Sequence, residues 1–309
     1  YSTWRLLKFG ATIGADLGSR LFRYYLQQNW LYNVSHNSTY MITKIAAEAN
    51  RTTQQIIQPM LMMFSKLVLA MILGISLIIL NPIVALVGIA IFGIFYSVIF
   101  KKSKRKLIEN GNKISHFSAM RFLTLSEGFG GIKDTLVLNK QEHFIEEFDK
   151  YGTGLAKSHS INQIISQAPR YIMEVLAFGS IISLVIFLIS SHDGNLDEVL
   201  PMLAIYALAG FKLLPAFQAI FSNLSQIKAN TPAFESIRND LVNSMDREIK
   251  TSDEVMQLRN TLLFSNISFS YPNKKQLALE NINITIEKNQ MVGFVGPSGS
   301  GKSTLVDML

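Results

Sequence analysis

Met291-Val-Gly-Phe-Val-Gly296-Pro-Ser-Gly-Ser-Gly301-Lys302-Ser303-Thr304 fits the pattern GxxxxGK[ST] from Gly296 onward. An apolar run leads into it and the helix-forming Leu305-Val-Asp-Met-Leu309 follows, the strand, loop and helix order that the pattern requires. Glycines let the backbone wrap closely around a phosphate chain, so that successive N–H groups and a helix N-terminus point at the anion. Gly296, Pro297, Ser298, Gly299, Ser300 and Gly301 are the expected cradle. Lys302 would reach the β- and γ-phosphates, the Ser303 hydroxyl would ligate Mg²⁺, and Thr304 would lie near the α- and β-phosphates. The reading is that this segment binds a nucleoside triphosphate.

The rest of the chain is not that of a soluble nucleotide-binding protein. Of its 309 residues 49% are apolar and only 17% charged, and the mean hydropathy is +0.25, a balance that points to a membrane protein. No charge occurs from Leu67 to Phe100, a run broken only by Asn81-Pro82. With about 20 residues needed per crossing, spans at about 61–80 and 83–100 form a helical hairpin through a bilayer. Two further apolar stretches, 171–191 and 199–225, extend the count to four. The second holds Pro201 and Pro215, which membrane helices tolerate when neighbours satisfy the freed carbonyls.

Basic residues set the orientation. Lys101, Lys102, Lys104, Arg105 and Lys106 follow the second span directly, whereas the Asn81-Pro82 turn is uncharged and His192–Glu198 has acids and no base. The positive-inside bias makes the first cytoplasmic and the others external, which leaves the phosphate loop on the side where ATP is. The net charge of +7 therefore reads as topology. No aromatic residues interleave with the cluster for base stacking, so nucleic acid is not an expected partner. Five scattered His and no Cys give no support to a metal centre, a disulfide or redox chemistry.

Two polar, helix-compatible stretches, 1–55 and 101–170, read as arms that leave the membrane, the second breaking at Gly128-Phe-Gly-Gly131. After a charged stretch, Arg238 to Asp253, the pattern changes to short alternating strands at Leu262–Tyr271, Asn281–Ile286 and Met291–Val295. The expected organisation is a transmembrane domain over 1–240, a linker over 241–260, and the N-terminal part of a nucleotide-binding domain over 261–309.

Long helical arms, membrane spans, a linker and then Phe264-Ser-Asn-Ile-Ser-Phe-Ser-Tyr271-Pro ahead of Gly296 resemble an ABC exporter half-transporter with fused permease and ATPase. The resemblance covers essentially the whole chain. It implies an all-α polytopic membrane domain of the type I exporter fold followed by the start of an α/β P-loop NTPase domain, truncated at both ends. The catalytic Glu and the signature motif would then lie outside this sequence. It also implies that Tyr271 stacks on adenine, that the cofactors are ATP and Mg²⁺, and that Trp30–Ser38 and Lys140–Phe148 are coupling helices. A second half-transporter, in a homodimer, would complete the machine in a bacterial plasma membrane. Lys288-Asn289-Gln290 departs from the family, which usually has a Gly in that turn, but Asn also tolerates positive φ.

Within the family, Ala168-Pro-Arg170 and Phe211-Lys212-Leu-Leu-Pro215 resemble flippases of polyprenyl-pyrophosphate-linked oligosaccharides, which implies a lipid-linked or amphipathic substrate attracted by Arg170 and Lys212. Lys212 stands where that group has Arg, keeping the charge without the bidentate fork. An intramembrane cation is by default functional, so Lys212 carries more of this reading than Arg170, which has Glu174 four residues on as a local partner. Export of peptides, drugs or simple lipids, and a nucleotide-gated regulator on the same frame, are the alternatives.

Overall fold

The computed structural model describes residues 2–80, 82–191, 196–245, 260–272, 274 and 276–308. They form two compact units, Tyr1–Gln27 with Ser38–Asp246, and Gln28–Asn37 with Arg247–Leu309.

The first unit is helical. Helix α1 (Ser2–Leu26) is amphipathic and buries Leu21, Tyr24 and Tyr25. Beyond the intervening short helix α2 (Trp30–Ser35), which belongs to the second unit, comes a long helix assembled from α3 (Ser38–Thr43), α4 (Ala49–Thr52) and α5 (Gln58–Leu80). Two turns of π-helix, Lys44–Glu48 and Thr53–Ile57, flank α4; such turns bulge the backbone and re-aim side chains. Helix α6 (Pro82–Gly130) starts on a proline, whose fixed φ and missing N–H suit a first helical position. Helix α7 (Ile132–Val137) turns the chain into α8 (Gln141–Ser191), and α9 (Leu196–Met245) closes the unit. Helices α6, α8 and α9 have 49, 51 and 50 residues. Each is therefore roughly 75 Å long, against a hydrocarbon layer of about 30 Å.

Among the described residues, three helices are long and apolar enough to cross a membrane, within Ser38–Ile79, Ala85–Gly130 and Ala207–Met245. They overlap the stretches 61–79, 85–100 and 207–225 of the expected spans. The expected span 171–191 is the last part of α8, and the loop His192–Glu198, expected to be external, lies partly outside the described residues.

Helices α6 and α8 run antiparallel with aromatic rings set against glycines. The ring of Phe117 lies where a Cβ on Gly154 would be, and Arg121 sits over the Phe148 ring at 4.3 Å. Helices α6 and α9 pack through Phe92 on Phe217 and Tyr96 on Phe221. At Gly111 the two backbones nearly touch, because a Cβ there would fall 2.0 Å from the Ala229 carbonyl oxygen.

Two features differ from the sequence reading of the arms. Residues 140–148, expected as a coupling helix, are mostly the first turns of α8, and the turn between the arms is α7, closed by the Lys140 N–H on the Thr135 carbonyl and by Asn139 at φ 54°. Helix α9 also continues through Arg238 to Met245, where a linker was expected. Ala233, Ile237 and Leu241, spaced four apart and buried, carry the apolar stripe past the charges. Residues 246–259 of the expected linker lie outside the described residues.

The second unit holds β1 (Thr261–Phe269) and β2 (Leu279–Glu287), an antiparallel pair running from Thr261 opposite Glu287 to Phe269 opposite Leu279, with the register shifting on either side of Ile267. Phe264, Leu279 and Leu305 form its small core, with Leu262, Ile284 and Phe294 against it. Asn289 takes φ 67° in the turn after β2, the conformation expected of it in place of Gly. The run Met291–Val295 is not a strand here, and Met291 and Val295 are almost wholly exposed. A strand needs a neighbour to receive its backbone hydrogen bonds, and none among the described residues lies beside this run.

Candidate functional site

The phosphate loop follows that run and ends in helix α10 (Lys302–Asp307). Gly301 caps the helix at φ 86°, and a Cβ on it would come within 2.6 Å of the Ala278 carbonyl oxygen and 2.9 Å of Leu279. Only glycine combines that left-handed backbone with so close an approach to the sheet. The loop is thereby held against the start of β2, while its other face stays open.

Lys302 turns back on its own loop. Its Nζ donates to the Gly296 carbonyl at 2.8 Å, the Pro297 carbonyl at 2.7 Å and Ser300 Oγ at 3.4 Å, all in solvent-exposed contacts. Ser303 is exposed at the first turn of α10, whereas Thr304 is buried beneath it. The Thr304 hydroxyl lies 3.1 Å from the Tyr271 hydroxyl, and Phe269 meets the Tyr271 ring edge-on at 5.1 Å. Residues 271 and 296–304, separated in sequence, are thus one site. A loop that only glycine can close, a lysine on its own loop carbonyls and an exposed serine at the helix start are groups that could hold a polyphosphate and a divalent cation.

The proposed substrate residues are not brought together in the same way. A cavity of about 720 Å³ lies between α8 and α9, and Arg170, Glu174, Gln167, Phe178, Phe211 and Gln218 are among its lining residues. Arg170 Nε donates to Glu174 Oε1 at 2.8 Å, so the cation enters the cavity wall as an ion pair. Lys212 is exposed on α9 and is not part of the lining. Gln218, absent from the sequence reading, has a buried Nε2 with no hydrogen-bond partner among the described residues. Its signal was available: an amide in the otherwise apolar run Leu213–Phe221.

A second polar cluster escaped the sequence reading. Arg51, on α4 between the two π turns, donates to Asn230 Oδ1 at 2.6 Å, Ser115 Oγ at 2.8 Å, the Gly111 carbonyl at 3.2 Å and the Ala229 carbonyl at 3.4 Å. Glu48 lies 3.5 Å from it and accepts from Ser115 Oγ at 3.2 Å. Burial pushes the Glu48 carboxyl up from its ordinary value, against the pull of the Arg51 charge and the Ser115 hydrogen bond. Burial also lowers the Arg51 guanidinium, against Glu48. Farther along the arms, Asp240 Oδ2 takes both Lys44 Nζ and the Tyr25 hydroxyl at 2.6 Å.

A sequence profile of the ABC transporter family matches residues 279–309. An ABC transporter ATP-binding protein of Mycoplasma genitalium is 24% identical over 245 residues, 74% of this chain and 40% of that protein. An ATP-dependent lipid A-core flippase of Colwellia psychrerythraea is 25% identical over 211 residues, 68% of this chain and 34% of that protein. The structure of a bacterial Atm1-family ABC exporter with ATP bound superposes on 98% of this chain and 53% of its own, with a TM-score of 0.75 at 9% identity. The chain spans less than half the length of these two relatives. The profile match implies ATP binding. The chain shares the fold of a multi-pass ABC exporter, and its residues 279–309 match the ABC transporter profile.

Proposed function

We propose that this ABC exporter chain couples ATP binding and hydrolysis to the movement of a lipid-linked or amphipathic anionic substrate across a bacterial plasma membrane, with the nucleotide unit cytoplasmic and a second copy completing the transporter. The observation that carries the reading is Lys302, tethered to the Gly296 and Pro297 carbonyls in a chain whose other unit is built of membrane-length helices. A polyphosphate offers that ammonium a charged partner in place of neutral ones. Lys302 would exchange carbonyls for the β- and γ-phosphates, Ser303 would hold Mg²⁺, and Tyr271 would carry the adenine. Bound Mg²⁺ would neutralise charge on the transferring phosphoryl group. Breaking the Tyr271–Thr304 contact would release a hydroxyl beside the phosphates.

Helix α2 groups with the nucleotide unit, while α1 and α3 on either side of it belong to the helical unit. A change at the phosphate loop would thereby reach the arms through chain connectivity alone. Alternating access would need a large bias, and a shift from 1:99 to 99:1 takes about 5.5 kcal/mol.

For the substrate, the cavity between α8 and α9 offers a cation at Arg170 and an unpartnered donor at Gln218 beside the aromatic faces of Phe178 and Phe211. That set suits an oxygen-rich anionic headgroup on an apolar tail, such as a polyprenyl pyrophosphate carrying sugars. Lys212 would attract the headgroup from outside the lining. The Arg170–Glu174 pair supports a second reading, since an opened ion pair holds both ends of a zwitterion, as in a peptide.

Full-length protein in proteoliposomes tests the choice. A pyrophosphate-linked glycolipid should stimulate ATP hydrolysis, and Arg170→Ala and Lys212→Ala should each lower its movement more than basal hydrolysis. Stimulation by a peptide and by no pyrophosphate-linked lipid would replace the glycolipid reading with the peptide one.

A further inference from the structure

The outward face of α6 changes character within one turn. Ile83, Val87, Ile94, Val98, Lys101 and Arg105 succeed one another in helical steps of four, seven, four, three and four, so they lie along one side of the rod. The first four are 74%, 54%, 65% and 47% exposed, and Arg105 has 91% of its side chain exposed. Phe92, Tyr96 and Gly111 occupy the opposite side, against α9, and Leu107 on that side is fully buried. Lys102, Lys104 and Lys106 widen the basic part into a collar around the outward half of the helix, and all are exposed. Glu109 pairs with Arg105 at 3.0 Å. The four lysines have no ion-pair partner among the described residues.

An exposed apolar strip about 22 Å long from Ile83 to Val98 suits contact with acyl chains. The cations that continue the same strip then project at the level of the lipid headgroups, three residues past its last valine. A protein partner seated on the collar would have to cover the strip as well, and the strip holds no polar group to pair with one. We propose that Lys101, Lys102, Lys104, Arg105 and Lys106 form a binding collar for anionic phospholipid headgroups of the cytoplasmic leaflet. The collar does more than set orientation: it selects the lipids that surround the exporter at the base of α6. Cations this close to a span attract anionic lipid strongly and additively.

The test uses the full-length protein, equilibrated without nucleotide in an equimolar mixture of phosphatidylglycerol and phosphatidylcholine, with retained lipid counted by native mass spectrometry. Wild type should retain phosphatidylglycerol preferentially. Changing Lys101, Lys102, Lys104 and Lys106 together to Gln should cut that preference by about tenfold or more. The same number of changes at Lys133, Lys140, Lys150 and Lys157, exposed along the arms, should leave it within about twofold, because screening confines surface attraction to roughly a Debye length. A double variant, Lys104→Gln with Lys106→Gln, keeps three cations to hold the orientation and should still lose severalfold. Unchanged preference in both collar variants would overturn the proposal. So would protection of the collar lysines from acylation in lipid-free detergent, which would place a second copy of the chain on this face. None of these results depends on ATP or on the transported substrate, so the exporter reading stands or falls separately.

Discussion

Arg51 and Lys302 are both cations that donate to backbone carbonyls, and the two bonds have opposite meanings. Arg51 is in the interior of the arms with 10% of its side chain exposed, and its donors reach α6 and α9 together. Lys302 makes contacts of similar length to Gly296 and Pro297, but in solvent. In the low dielectric of a packed interior a satisfied charge is a lock, because no water replaces a lost partner. At the surface the same bond is worth little, and the lysine is free to change partners. The chain thus uses one chemistry twice, as a clamp between rods and, in the function proposed above, as a placeholder for an anion.

The sharpest way to break this contrast is Arg51→Ala. It strands Glu48 without a countercharge and frees the Gly111 and Ala229 carbonyls, and should cost about 3–5 kcal/mol, read as a lowered unfolding midpoint of full-length protein in detergent. A loss under about 1 kcal/mol would show that the arms do not depend on the clamp. Gly111→Ala attacks the same junction sterically. A Cβ 2.0 Å from the Ala229 oxygen must push α6 and α9 apart, for about 1–3 kcal/mol, and a neutral result would mean that the helices part freely there.

Glu48→Gln should have the smallest effect. Glu48 holds Arg51 only at 3.5 Å, and Arg51 keeps its other acceptors, so a loss below about 1 kcal/mol is expected at neutral pH. Its pH dependence is more informative. Because burial raises the Glu48 carboxyl, the native state binds that proton more tightly than the unfolded chain. The linked stability is fully present below the ordinary carboxylate range and is lost as pH rises through the raised value. Glu48→Gln should flatten that part of the stability profile. A slope unchanged from wild type would assign it to another group.

The glycine loop and the helix after it were legible because their pattern is contiguous: Gly296 to Thr304 fall within nine residues, although the close approach of Gly301 to Ala278 was not. The turn at Asn289 was legible for the same reason, as a local conformation. Met291–Val295 has a strand's apolar alternation but, among the described residues, no strand beside it, since pairing is a property of a sheet and not of a segment. Long uncharged runs gave the membrane helices, while the end of α9 was set by a buried stripe that outlasted the apolar composition. Arg51 looked like one more charge on a solvated arm. Its partners Ser115 and Asn230 are 64 and 179 residues away, and only the packing of α4 against α6 and α9 unites them. In the membrane part, an intramembrane charge put Lys212 ahead of Arg170, whereas the cavity is lined by Arg170 and by Gln218, because the facing of a helix inside a bundle depends on its neighbours.

In the proposed function Lys302 exchanges its carbonyl partners for nucleotide phosphates. Equilibrium binding of Mg-ATP to full-length protein and to Lys302→Ala measures it directly, with the unfolding midpoint recorded alongside. A charge-assisted bond of about 1.5–3 kcal/mol predicts a loss of affinity on the order of tenfold to a hundredfold with the midpoint unchanged. Equal affinities in the two proteins would contradict the account.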